Sequence, residues 1–227
     1  MLSLCDNCSN LDKDNNLIQY FIDVIEEKDA YTQGHSHHVR AITEAIYNCL
    51  PNSYQSNIDK TKLLLAALLH DIGKIKTPDT ILNKDAPLSD DEWEIMKQHP
   101  KDGAEIIKNT LFSDVGDWIL YHHETIDGKG YYGLKGDEIP LEARIIAIAD
   151  TFSALRTYRI YRPAKSIEET IAIMRDVSGQ QLDEEILSFF LSLDKDALKN
   201  LYCNCKICVE RRAAFKKTRE QEKIKRS

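Results

Sequence analysis

Long apolar runs are missing from this sequence. The longest, Leu63–Leu69, falls far short of the ~20 residues a helix needs to cross a bilayer, so no transmembrane helix is expected. The first residues, Met1 to Asn10, lack both a basic segment and an apolar stretch. A secretory signal is therefore not expected, and a cytoplasmic location is. Excess positive charge is missing too: 30 Lys and Arg stand against 37 Asp and Glu, a net charge of −7. That balance argues against general DNA or RNA binding, although metals and a few local cations can still make a cationic pocket for an anionic ligand. Strand-like alternation, internal repeats and low-complexity tracts are absent as well. Glycine is sparse, and four of the nine glycines (Gly128, Gly130, Gly133, Gly136) fall in one stretch.

What is present reads almost entirely as helix, in a chain of 227 residues that is long enough for one sizeable domain with short extensions. Apolar residues recur at helical spacing from Leu11 to Glu27, and further helices are predicted over 36–50 and 59–70. The last of these is apolar on nearly every side and is expected to be the central core helix. Residues 77–88 carry two prolines and read as a loop. Ser89 with Glu92, and Ser166 with Glu169, form capping-box patterns that open helices. Further helices are predicted over 99–111, 114–123, 141–159 and 183–193, and the glycine-rich stretch 127–140 is predicted to be a loop or small hairpin.

The seven histidines are not scattered: His35, His37, His38, His70, His99, His122 and His123. His70 precedes Asp71 at the end of an apolar helix, and His122 and His123 are adjacent at the end of another. Asp150 lies among Ile145, Ile146, Ala147, Ile148, Ala149 and Phe152, where a carboxylate is costly to bury unless paired or bound to a cation. Any one such residue is ordinarily a cap or a hydrogen-bonded core residue. Several together at helix ends suit a transition-metal site, and six or more nitrogen and oxygen ligands suit a centre of two ions about 3.5–4 Å apart. Such centres hydrolyse phosphoesters by lowering the pKa of the attacking water and offsetting charge on phosphorus. Two other patterns carry nothing. Gly128-Lys-Gly130-Tyr-Tyr-Gly133 follows no strand and opens no helix, so it is not a dinucleotide fingerprint. His123-Glu124 lacks the second histidine of a zincin helix.

In order along the chain stand YTQGHSHHV (31–39), LLHDIGKI (68–75) with PDTILNK (78–84), HPKDGAEII (99–107), HHETIDGKGY (122–131), IPLEARIIAIADTFSAL (139–155) and RIYRPA (159–164). These blocks resemble the HD-GYP subgroup of the HD phosphohydrolase superfamily. The resemblance covers roughly residues 14–192. It leaves 1–13 as an N-terminal extension with a CxxC pair and 193–227 as a Cys-rich, basic C-terminal extension. It implies an all-α fold: an HD-type helix bundle with a metal centre in its core and a Gly-rich loop beside it. Carried across, His35, His70, Asp71 and Asp150 would bind one metal, with Asp71 bridging to a second completed by His99, His122 and His123. Two divalent transition-metal ions, iron or manganese, are implied. Asp71 and Lys74 would be catalytic, Lys74 holding or polarising a phosphate, and Arg159 and Arg162 would clamp the other phosphate or stack on a guanine. Arg144 is either a further substrate contact or structural.

The implied activity is hydrolysis of cyclic di-GMP to pGpG or GMP. The alternatives are another cyclic dinucleotide or nucleotide as substrate, or a catalytically silent docking partner of a diguanylate cyclase. A homodimer is compatible with this reading. The sequence departs from the family pattern in four places. Gly130-Tyr131-Tyr132 replaces GYP. Tyr31 stands where some members carry a Glu that helps hold a third metal, so two metals are expected. Ser153 replaces a common Asp, and His38 a common Arg. His38 shares a helix face with His35 and is expected to be solvated or to lie behind the metal ligands, while His37 is expected to face solvent. The six cysteines divide into Cys5 and Cys8, Cys203, Cys205 and Cys208, and Cys49. Those of the two ends could form a structural zinc site or hold an iron–sulfur cluster, or stay reduced and unligated; Cys49 is expected in the core.

Overall fold

A computed structural model describes residues 15–28, 34–157 and 164–201. Cys5, Cys8, Cys203, Cys205, Cys208, Arg159, Arg162 and Tyr31 lie outside these residues. Among the described residues the chain forms twelve α-helices and no β-strand, as the lack of alternation implies; only an isolated bridge joins Ser178 and Leu182.

Helix α1 (Asn15–Lys28) buries Ile18, Ile22 and Ile25, a stripe at helical spacing. Helix α2 (His35–Cys49) packs between α4 (Lys60–Leu69) and α9 (Leu141–Arg156). Asp59 caps α4 by accepting from Lys62 N–H, and the seven residues Leu63–Leu69 are all buried. The helix therefore lies at the centre of the bundle, where an all-round apolar sequence belongs. Helix α9 likewise buries residues around its circumference, among them Ile145, Ile146, Ile148, Ala149 and Phe152. Short helix α3 (Asn52–Gln55) follows Pro51, and α5 (Asp79–Leu82) forms within the stretch 77–88 whose prolines mark a loop in the sequence. Both capping boxes are formed, at the starts of α6 (Asp90–Met96) and α10 (Ile167–Asp176). Helices α7 (His99–Ile107), α8 (Gly116–Leu120), α11 (Glu184–Leu191) and α12 (Lys195–Lys199) complete the set.

Three expectations are corrected. The helix expected to run to His123 ends at Leu120, so His122 and His123 lie in the turn after α8. The second correction concerns His37, which is buried on α2 rather than solvent-facing. Cys49, at the last position of α2, is only partly buried rather than a core residue. No helix among the described residues is long and apolar enough to cross a membrane.

Candidate metal centre

Five segments deliver the predicted residues to one place. His35 is the first residue of α2. His70 and Asp71 follow the last turn of α4, His99 opens α7, His122 and His123 follow α8, and Asp150 sits in the middle of α9. Asp71 is at the centre. Its Oδ2 lies 3.4 Å from His70 Nε2 and 3.9 Å from His35 Nε2, and its Oδ1 lies 3.3 Å from His99 Nε2. Asp150 Oδ1 lies 3.0 Å from His35 Nε2 and 4.0 Å from His70 Nε2. The rings form a chain of edge and tilted contacts: His35 to His70 at 5.3 Å, His70 to His122 at 5.2 Å, His99 to His123 at 5.0 Å. Ligand atoms of His35, His70 and Asp71 lie within 4.8 Å of one another, as do those of His99, His122 and His123. The first group contains three of the four residues expected to share one ion, without Asp150, and the second contains the three histidines expected to complete the other.

The orientation of the rings suits metal binding. Three Nδ1–H groups donate to backbone carbonyls three residues earlier: His70 to Ala67 at 2.8 Å, His99 to Met96 at 2.8 Å and His122 to Ile119 at 2.6 Å. That bond places the proton on Nδ1 and leaves Nε2 as a bare lone pair. The Nε2 atoms of His70, His99 and His122 are buried and make no hydrogen bond among the described residues. Orphaned buried acceptors cost free energy unless something else satisfies them, and a divalent ion is the ligand that neutral imidazoles beside carboxylates would take.

Electrostatics points the same way. Burial opposes the charge on Asp71, yet the Lys74 ammonium, followed by His70 and His99, outweighs it and holds the carboxyl well below its usual range. Burial likewise opposes the Asp150 charge, and His35, with His70 and His123, reverses it so that Asp150 is also lowered. Burial pushes His99 down to about 3 and holds His122 and His123 below the ordinary imidazole value. For His70 the burial effect is outweighed by Asp71 and Asp150, and its value is raised. The centre thus holds carboxylates charged and most imidazoles neutral, the protonation states metal ligands require.

Lys74 reaches Asp71 Oδ2 at 2.7 Å from the short 3-10 helix Ile72–Lys76. The Arg144 guanidinium lies away from the histidine cluster and pairs with Asp183 at 2.8 Å and Asp137 at 3.1 Å. It lines a cleft of about 560 Å³ with Ile126, Asp183 and Glu185, which shares no residue with the histidine cluster.

Some features that shape the site carry little or no signal in the sequence. Gly73 lies so close to α7 that a Cβ there would stand 1.8 Å from His99 O. The HDIGK glycine therefore sets the approach of the turn that carries Lys74 to the helix that carries His99. Buried Glu124 accepts from Tyr132 N–H and Leu134 N–H, each at 2.7 Å, clamping the Gly-rich loop. Gly130 passes over Glu124 where a Cβ would lie 2.5 Å from its Cα. The clamp lays the Tyr131 ring against His123, centroids 4.9 Å apart. Burial, then the charges of Asp71 and Asp150, pushes the Tyr131 phenol up to about 12. Ser153, one turn beyond Asp150, lies 2.9 Å from both His35 Nδ1 and His38 Nδ1. His38 is therefore behind His35 rather than solvated.

The sequence matches the HD domain family model over residues 19–186. It is 42% identical over 145 residues to a cyclic di-GMP phosphodiesterase of Thermotoga maritima, covering 62% of this chain and 39% of that protein. It is 37% identical over 171 residues to 3'3'-cGAMP-specific phosphodiesterase 3 of Vibrio cholerae, covering 74% of this chain and 36% of that protein. The chain thus spans well under half the length of these curated relatives. Among solved structures it resembles Bd1817, an HDG"Y"P protein of Bdellovibrio bacteriovorus, with a TM-score of 0.55 and 25% identity, covering 73% of this chain and 52% of that one. The chain belongs to the HD domain family and, within it, to the HD-GYP group.

Proposed function

We propose that this chain is a metal-dependent phosphodiesterase that opens a 3'3'-cyclic dinucleotide, with cyclic di-GMP as substrate and pGpG or GMP as product. The observation that carries the reading is the convergence of His35, His70, Asp71, His99, His122, His123 and Asp150 around three orphaned Nε2 atoms. His35, His70, Asp71 and Asp150 would hold one ion, and Asp71, His99, His122 and His123 the second. Iron or manganese fits this imidazole and carboxylate set. Bound there, the two ions would supply an activated water and neutralise charge on the phosphoryl oxygens.

The chain's own residues supply the rest. Asp71, charged and central, fixes the spacing of the two halves. Lys74 Nζ, beside Asp71 and partly exposed, would hold a phosphate oxyanion at the rim. The Tyr131 phenol, kept protonated, offers a neutral hydrogen-bond donor over His123. Arg159 and Arg162 are proposed to take the second phosphate or a guanine face. Cys5, Cys8, Cys203, Cys205 and Cys208 are proposed to hold a structural zinc.

A second substrate, 3'3'-cGAMP, is favoured by the Vibrio cholerae relatives specific for it, whose alignments cover about three quarters of this chain. Anaerobically purified protein supplied with Fe(II) or Mn(II) is given each dinucleotide, and the products are separated by chromatography. Faster conversion of cyclic di-GMP, reduced at least about a hundredfold in Asp71→Ala, is the expected result. Preference for 3'3'-cGAMP would move the substrate reading. No product from a metal-loaded chain would move the substrate reading to another phosphoester, and no product with no bound metal would favour docking to a diguanylate cyclase.

A further inference from the structure

His70, His99 and His122 are each oriented by a backbone carbonyl three residues earlier. His35 is held differently. Helix α9 grips both nitrogens of its ring: Asp150 Oδ1 lies 3.0 Å from Nε2, and Ser153 Oγ lies 2.9 Å from Nδ1. Among the described residues Ser153 Oγ meets one other side-chain atom, His38 Nδ1, also at 2.9 Å. Ser153 is fully buried and His38 nearly so.

A serine hydroxyl has one proton to give and lone pairs to receive. For His35 Nε2 to offer its lone pair to a metal, the His35 proton must sit on Nδ1 and be donated to Ser153 Oγ. The Ser153 proton then goes to His38 Nδ1, which must be the bare nitrogen of a His38 protonated at Nε2. We propose that Ser153 and His38 are a positioning pair for His35, a two-bond relay that fixes its tautomer and ring plane from outside the metal centre. The inference rests on the metal-centre reading above. Ser153 and His38 are also the two positions at which the sequence replaces the Asp and Arg common in its family, and the fold brings both replacements into one hydrogen bond.

The test is Mn(II) titration of the full chain, with free Mn(II) followed by electron paramagnetic resonance, and no activity readout. The variants are Ser153→Ala, His38→Leu, the double variant, and His38→Asn, whose amide oxygen can replace the Nδ1 acceptor. Melting of each metal-free variant identifies any that fail to fold. Wild type is expected to bind two Mn(II). Ser153→Ala and His38→Leu should each weaken one of the two sites by about tenfold, and the double variant should be no weaker than Ser153→Ala, because the two side chains act in series. His38→Asn should stay within about threefold of wild type. A folded Ser153→Ala that binds both ions as tightly as wild type overturns the proposal, as does a His38→Asn no better than His38→Leu. A wild-type chain that binds no Mn(II) overturns the metal-centre reading itself, and the pair with it.

Discussion

At the scale of single residues, the centre is a balance between burial and charge. Burial alone would neutralise Asp71 and Asp150; Lys74 and His70 reverse that for Asp71, and His35 and His70 for Asp150. The same burial keeps His99, His122 and His123 neutral. These depressed histidines make the metal-free fold sensitive to acid. Below the ordinary imidazole value of about 6.5 the unfolded chain takes up protons that these three decline in the fold, so stability falls as pH falls. For His99 this continues to about 3. His70 opposes it: its raised value contributes stability below about 6.5 that is lost as pH rises through its folded pKa. Asp71 and Asp150 act lower down, contributing above about 3.9 and losing that contribution as pH falls further. Below about 6.5 His70 is protonated in both states and adds no slope, so the loss from the other three is at most about 4 kcal/mol per pH unit. Thermal melts of chelator-treated protein should therefore drop steadily from about pH 6.5 to pH 5. A melting temperature that is flat or rising over that window would mean the cluster protonates inside the fold.

At the scale of elements, function depends on how closely helices approach. The HDIGK segment works because Gly73 lets the Lys74 turn lie against the first turn of α7. In Gly73→Ala the new Cβ would meet His99 O and Gly103 N, both backbone atoms that cannot rotate away. Turn and helix must separate, and His99 moves with the helix. Overpacking of this kind costs ~1–3 kcal/mol or more. The expected outcome is a folded but destabilised protein that holds one Mn(II) well and the second poorly, read by metal content after desalting together with a thermal melt. Retention of both ions would show that His99 keeps its place without that approach. Glu124 plays the corresponding part for the Gly-rich loop, where its two backbone hydrogen bonds hold Tyr131 on His123. Proline is missing from the third position of that loop, and exposed Tyr132 packs edge-on against Tyr121 instead, centroids 5.7 Å apart.

At the scale of the whole molecule, the centre is a cross-link. Its residues come from α2, the end of α4, the start of α7, the turn after α8 and the middle of α9, so an ion bound there ties together segments spanning residues 35 to 150. An ion that binds the fold and not the unfolded chain adds about 2.7 kcal/mol at a hundredfold excess over its Kd. For a chain of this length that is about 5–10 °C in melting temperature. Mn(II) added to metal-free protein should raise the melt by that amount and leave Asp71→Ala nearly unchanged. An equal rise in both would place the stabilising ion elsewhere in the chain.

The sequence by itself determined the all-helical class, both capping boxes and the histidine and aspartate set. Helical periodicity, cap chemistry and metal-ligand types are local properties that residues declare without knowing their neighbours in space. The end of α8 before His122, the burial of His37 and the pairing of Arg144 with Asp183 were not legible. Nor was the Ser153–His38 contact, which joins residues 115 positions apart. The conformational freedom of Gly73 is visible in its identity, yet the carbonyl it must avoid belongs to His99. Which ring nitrogen of His35 faces the carboxylates depends on α9 crossing α2 in one register. Tertiary structure alone decides such facts, because a hydrogen bond or a steric limit between distant segments exists only once the packing of the apolar faces has set the distance between them.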